Sequence, residues 1–123
     1  MIKGLLLAES LRLDAPISVP GLRLSSIRRA DVSASVTGGQ PPIWTFVEFE
    51  GPDEAADPLA QALSASLEPE GGWYADFGVG DEHVVVFARR VFRYPNGDQD
   101  GRAAAAEYGR SVGVPEPQLD WSE

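Results

Sequence analysis

Apolar residues along this chain recur at two spacings, and the switch between them separates strands from helices. From Leu5 to Leu13 the odd positions Leu5, Leu7, Leu11 and Leu13 are apolar, with Ser10 and Arg12 between them, which predicts a strand ended by Asp14-Ala15-Pro16. After Pro20-Gly21 the even positions Leu22, Leu24, Ala30, Val32, Ala34 and Val36 alternate with Arg23, Arg29, Asp31, Ser33 and Ser35. That pattern predicts a second, long, half-buried strand with a bulge near Ser25-Ser26. Gly38-Gly39-Gln40-Pro41-Pro42 reads as a loop. Ile43-Trp44-Thr45-Phe46-Val47-Glu48-Phe49, apolar or β-branched on both faces through its first half, reads as a central third strand.

The period then lengthens. Leu59, Leu63 and Leu67 recur at i, i+4 and i+8 with Ala55, Ala56, Ala60 and Ala62 between them, as in a short amphipathic helix whose N-cap is Asp57 and whose first position is Pro58. Glu68-Pro69-Glu70-Gly71-Gly72 ends it. Trp73, Ala75, Phe77 and Val79 share one face of a fourth strand, Gly78 to Glu82 turns the chain, and Val84, Val86, Ala88, Phe92 and Tyr94 share one face of a fifth, so the two read as a hairpin. Pro95-Asn96-Gly97 stops that strand. Arg102 to Val112, with its run of alanines, predicts a second helix closed by Gly113 at C′, and Val114-Pro115-Glu116-Pro117 cannot continue it. Trp121 either packs back onto the sheet or stands exposed as an anchor.

The predicted order is β-β-β-α-β-β-α, which makes the fold class α+β. The expected architecture is a five-stranded, mostly antiparallel sheet with both helices on one face, since each helix has one apolar stripe to bury. A right-handed crossover from the third strand through the first helix to the fourth would add one parallel pair, and a permuted ferredoxin-like arrangement fits the same order. With 123 residues, 43% of them hydrophobic, residues 1–123 are expected to form one domain with one core.

Charge sharpens the picture. The formal net charge is −9, with 10 Lys and Arg against 19 Asp and Glu. Residues 51–123 carry all of the excess, because residues 1–50 balance Lys3, Arg12, Arg23, Arg28 and Arg29 against Glu9, Asp14, Asp31, Glu48 and Glu50. A negative field repels phosphate backbones and anionic headgroups, so neither nucleic acid nor membrane is an expected partner, and a basic protein or a cation fits better. With 0 cysteines, disulfides, thiolate metal sites and Cys nucleophiles are excluded. The opening run Met1 to Glu9 is too short for a signal-peptide core and the chain has no ~20-residue apolar stretch, so the expected location is the cytoplasm.

Asn96-Gly97-Asp98-Gln99-Asp100-Gly101 followed by Glu107 offers oxygen ligands at positions 1, 3, 5 and 12 and a glycine at 6, the spacing of an EF-hand calcium loop. It departs from that loop at position 1, which is Asn, at position 8, which is Ala103, and in having a strand before it. The competing reading is a turn followed by a helix cap, with Asp98 or Asp100 capping. His83 is the one histidine, which excludes any cluster needing two. Strand spacing puts Arg89 and Arg93 on a face with His83, a candidate surface for an anion or an acidic partner; pairing of those arginines with Glu48, Glu50 or Asp76 is the competing reading. Gly78-Val79-Gly80 lacks the third glycine and the helix of a dinucleotide fingerprint, and no nucleophile elbow, P-loop or HExxH motif occurs.

The stretch Arg90-Val91-Phe92-Arg93-Tyr94-Pro95, continuing through Tyr108-Gly109-Arg110-Ser111-Val112-Gly113-Val114-Pro115 to Gln118-Leu119-Asp120-Trp121, resembles a family of small uncharacterised actinobacterial proteins. The resemblance implies no activity and carries over no catalytic residue. The expected function is a non-enzymatic, cytoplasmic protein-association domain without cofactor, acting as a homodimer or on another protein through a strand edge or sheet face. Two alternatives stand beside it: a small-molecule or calcium-binding module using the 96–107 loop, and an enzyme using Asp76, Asp81 or Glu82 with His83.

Overall fold

The structure, a computed structural model, describes residues 1–36 and 39–121. Gly38 of the predicted loop and the last residues of the tail, Ser122 and Glu123, lie outside the described residues. The elements are β1 (Ile2–Leu7), β2 (Arg23–Asp31), β3 (Ile43–Gly51), α1 (Ala56–Ser66), β4 (Ala75–Val79), β5 (Glu82–Phe87), β6 (Arg90–Pro95) and α2 (Gln99–Ser111). The fold is α+β, as expected, but its open sheet has six strands, in the order β2-β3-β1-β4-β5-β6.

Every pair of neighbours in this sheet is antiparallel. The expected parallel pair is absent from it for a simple reason. β3 and β4 do run the same way, joined through α1, but β1 lies between them and pairs with both. The extra strand comes from the segment 84–94, which breaks at Ala88-Arg89. Phe87 pairs with Arg90 across a two-residue turn, and Arg89 takes the left-handed conformation there, with φ +63°. An arginine carries none of the turn signal that Asn or Gly would supply, so the reversal was hidden in the sequence. The bulge in β2 is present: the register against β3 shifts between Leu24 and Ser26.

The two helices lie on opposite faces, not on one. Val84 and Val86 of β5 pack with Leu59 and Leu63 of α1, whereas Val85 and Phe87, pointing the other way, pack with Ala105 of α2. β5 is therefore buried on both sides from His83 to Phe87, and its apolar run has no polar face to show. α2 reaches the sheet through a stripe of small residues, Gly101, Ala105 and Gly109. A Cβ on Gly101 would lie 2.6 Å from Tyr94 Cβ, and one on Gly109 would lie 2.8 Å from Leu119 Cδ2. Asp98 caps α2 by accepting from the Gly101 N–H at 3.1 Å, which settles the choice between Asp98 and Asp100. α1 starts at Ala56, after a short 3-10 turn over Asp53–Ala55, so Asp57 sits in its first turn and not at its cap.

On the α1 side, β1 presents Ile2, Gly4 and Leu6. Gly4 lies opposite Phe49 of β3 on one flank and opposite Phe77 of β4 on the other. The two rings meet above it, edge to face, with centroids 6.3 Å apart. This places the core over the glycine; burying one such ring stabilises by about 1.5–3 kcal/mol. β1 leaves the sheet after Leu7 in a short 3-10 turn, Ala8–Ser10, instead of continuing to Leu13. β3 runs on past it, and the Glu9 carboxylate takes the vacated place, accepting from the Thr45 N–H at 2.7 Å and the Thr45 hydroxyl at 2.8 Å.

Gly4→Ala will lower stability by about 2–3 kcal/mol, because the added Cβ would lie 2.5 Å from Phe77 Cβ and 2.6 Å from the Asp76 carbonyl oxygen, which is backbone and cannot step aside. Urea unfolding measures it; a loss under about 0.5 kcal/mol would show that the rings do not depend on this gap. Glu9 makes a second prediction. Burial raises its pKa, but the Thr45 hydrogen bonds and the nearby Arg29 outweigh that and hold it below its ordinary 4.5. The native state thus favours the ionised form, so the stabilisation is complete above pH 4.5 and is lost as the pH falls through the depressed value. Glu9→Gln is expected to cost roughly 1 kcal/mol at neutral pH after allowing for solvent screening, with the gap to the native chain closing towards pH 3. A gap independent of pH would assign the loss to packing alone.

Candidate functional site

On the α2 face the sheet is only half covered. α2 lies over β5 and β6, and the chain after it, from Val114 to Trp121, returns across the sheet. Trp121 is buried, donating its indole N–H to the Tyr94 hydroxyl at 2.7 Å and standing edge-on to Tyr74 at 5.4 Å. The tail therefore packs back, closing the alternative left open by the sequence. Gln118 ties it to two other loops. Its amide N–H groups donate to the Ser35 carbonyl at 3.0 Å and to Gln40 Oε1 at 2.9 Å, and its own carbonyl accepts from the Tyr74 hydroxyl. Gln40 Nε2 in turn donates to the Gly71 carbonyl at 2.8 Å.

Between this strap and the uncovered strands β1, β3 and β4 runs a groove made of two adjoining cavities. The first, about 290 Å³, is lined by Leu5, Leu7, Trp44, Phe46, Trp73 and Tyr74, with Asp76, Gln118 and Asp120 as its principal polar groups. The second, about 570 Å³ and more open, shares Leu5, Tyr74, Asp76 and Asp120 with it and adds Lys3, Glu48, Gly78 and His83. The strand pairing explains the joint. Leu5 lies opposite Glu48 on one side and Asp76 on the other, and Lys3 lies opposite Gly78, which lies opposite His83. Gly78 has no side chain to fill that row, and a Cβ there would find only the Glu82 carbonyl oxygen, 3.9 Å away.

Asp76, His83 and Tyr74 are held by their neighbours. His83 is 4% exposed, and its Nε2–H donates to Asp76 Oδ2 at 2.9 Å. Because a carboxylate accepts, this bond assigns the proton to Nε2 and occupies that nitrogen. Burial, with the Asp76 and Asp120 carboxylates, pushes the Tyr74 phenol above its ordinary value, against a smaller opposing effect of Arg102. Trp44 is 8% exposed, and among the described residues its Nε1 is the one buried side-chain nitrogen or oxygen without a hydrogen-bond partner. The groove thus sets an enclosed imidazole, engaged with Asp76, and the exposed carboxylate of Asp120 beside aromatic walls.

Comparison with protein-family models, curated proteins and solved structures returns no match. The reading of the site therefore rests on its geometry.

The residues singled out from the sequence fall in three places. Asp76 and His83 meet in the groove, while Asp81 sits exposed in the β4–β5 turn and Glu82 faces away, bound to Arg93. Arg93 lies opposite Val84 on the α1 side, bridging Glu82 at 2.8 Å and Asp57 at 3.1 Å, and Arg89 lies in the turn, so the two arginines do not form one surface with His83. The Ala88-Arg89 reversal reset the alternation. Asn96 stands exposed before α2, Asp98 and Asp100 are at its start, and Glu107 is on its far side, 3.6 Å from Arg110. A rise of 1.5 Å per residue puts Glu107 roughly 13 Å along the axis from Asp98. Among the described residues no three His, Asp or Glu side chains are gathered as a metal site.

Sequence reasoning missed Leu5, Leu7, Phe46, Gln118 and Asp120 as groove residues. The alternation singles out the odd positions Leu5 and Leu7, but the buried face of β1, against α1, is Ile2 and Leu6. A strand apolar on both sides, Leu5-Leu6-Leu7, was the available signal.

Proposed function

We propose that this protein is a non-enzymatic binding domain that takes a small organic ligand into the groove between the strap and strands β1, β3 and β4. The observation that carries this reading is the pair of adjoining cavities on the uncovered half-face, where aromatic walls meet a few polar groups, the usual make-up of a ligand site. The acidic chain disfavours nucleic acid, and among the described residues no helix is long and apolar enough to cross a membrane.

A second reading keeps protein association. β2 is an edge strand, and Leu24 and Ile27 stand 60% and 57% exposed on it, facing the α1 side beyond the cover of that helix. Pairing of this edge with a second copy would bury both.

The first reading is tested by NMR chemical-shift mapping with small aromatic fragments, neutral, cationic and anionic. Shifts are expected at Leu5, Asp76 and the Trp44 indole, and Gly78→Leu, which has room for its side chain, should weaken binding about tenfold with little change in melting temperature. Fragments that shift only residues outside the groove would overturn it. Light scattering across a range of concentrations tests the second: a dimer that Ile27→Glu converts to monomer supports it, and a monomer at all concentrations removes it.

A further inference from the structure

We infer that the groove selects an organic cation, whose ammonium or guanidinium group lies between Asp76 and Asp120 and whose apolar body lies against Trp44, Trp73 and Phe46. This deepens the binding reading above and rests on it. The smaller cavity is lined by two carboxylates, Asp76 and Asp120, and by no Lys or Arg, so the formal charge on its otherwise largely apolar walls is negative; Asp76 already accepts from His83. Each carboxylate borders both cavities, which puts the pair at the joint of the groove. An anion entering there would meet repulsion from both carboxylates, whereas a cation meets an attraction that a neutral molecule of the same shape lacks.

The surrounding chemistry agrees. The wider part adds one group of each sign, Lys3 and Glu48, which leaves the balance at the joint unchanged. At its rims the protein already seats cations on aromatic faces, with the Arg28 guanidinium 4.4 Å from the centre of Phe46 and that of Arg102 4.9 Å from the centre of Trp121. Quadrupole attraction of this kind acts alike on a ligand's ammonium group. The net charge of −9 draws a cation towards the surface and repels an anion.

The experiment compares three probes of one shape on the full chain by calorimetry and NMR mapping: phenethylamine, 2-phenylethanol and 3-phenylpropanoate. Phenethylamine is expected to bind in the groove at least about tenfold tighter than the alcohol, with the carboxylate weakest, and Asp120→Asn is expected to remove most of that preference. Asp120 is exposed at the rim, so its substitution leaves the core untouched; Asp76→Asn, which also alters the bond to His83, serves as a second variant with its fold checked by the NMR spectrum. If the amine and the alcohol bind the groove equally, or Asp120→Asn leaves the preference intact, selection of a cation is overturned while the binding reading stands. If none of the three shifts groove resonances, both fall.

Discussion

The meeting of Phe49 and Phe77 above Gly4 is the contact on which the rest of the structure depends. β1 lies between β3 and β4, and its α1-side positions Ile2 and Gly4 are each flanked by a residue from both. A side chain at Gly4 would hold the two rings apart; with hydrogen there they close into one apolar surface, on which Leu59 and Leu63 of α1 pack. The β3-α1-β4 connection is thereby held across β1, and the sheet acquires a middle. Glu9 completes the same strand from outside, supplying to Thr45 the acceptor that β1 ceases to offer beyond Leu7.

The opposite face is governed by an asymmetry of cover. α2 approaches closely because Gly101, Ala105 and Gly109 present almost no bulk, and this binds it to β5 and β6 alone. The remaining strands keep apolar side chains on that side, Leu5 and Leu7 from β1 and Trp44 and Phe46 from β3, bordered by the Val114–Trp121 strap and by Val32 and Ser35. A helix broad enough to span the sheet would have filled the groove; a narrow one and a strap leave it open. Tyr74 and Gln118 hold the strap in place, the first by its hydroxyl and the second through its amide.

Much of the local structure was legible from residues alone. Period-two alternation marked β2 with its bulge, β3 and β4, and in outline β1, though it carried β1 too far and merged β5 with β6; leucine spacing marked α1 and Gly113 the end of α2, because each depends on contacts a few residues apart. The turn at Ala88-Arg89 was not legible, since Arg89 adopts a conformation its side chain does not favour and only the pairing of β5 with β6 enforces it. His83 and Asp76 were both candidates, but their partnership depends on the register of β4 against β5.

The sequence by itself determined the class of fold, the acidic character and the absence of cysteine chemistry, because composition and short-range periodicity need no knowledge of what packs on what. The tertiary structure alone decided which face each helix covers. β5 is apolar on both sides and Leu5-Leu6-Leu7 is apolar throughout, so alternation could not name an inner face; the choice fell to the small stripe of α2 on one side and the leucines of α1 on the other. The groove exists only as a consequence of that choice, gathering Leu5, Trp44, Asp76 and Asp120 from segments whose proximity no local pattern encodes.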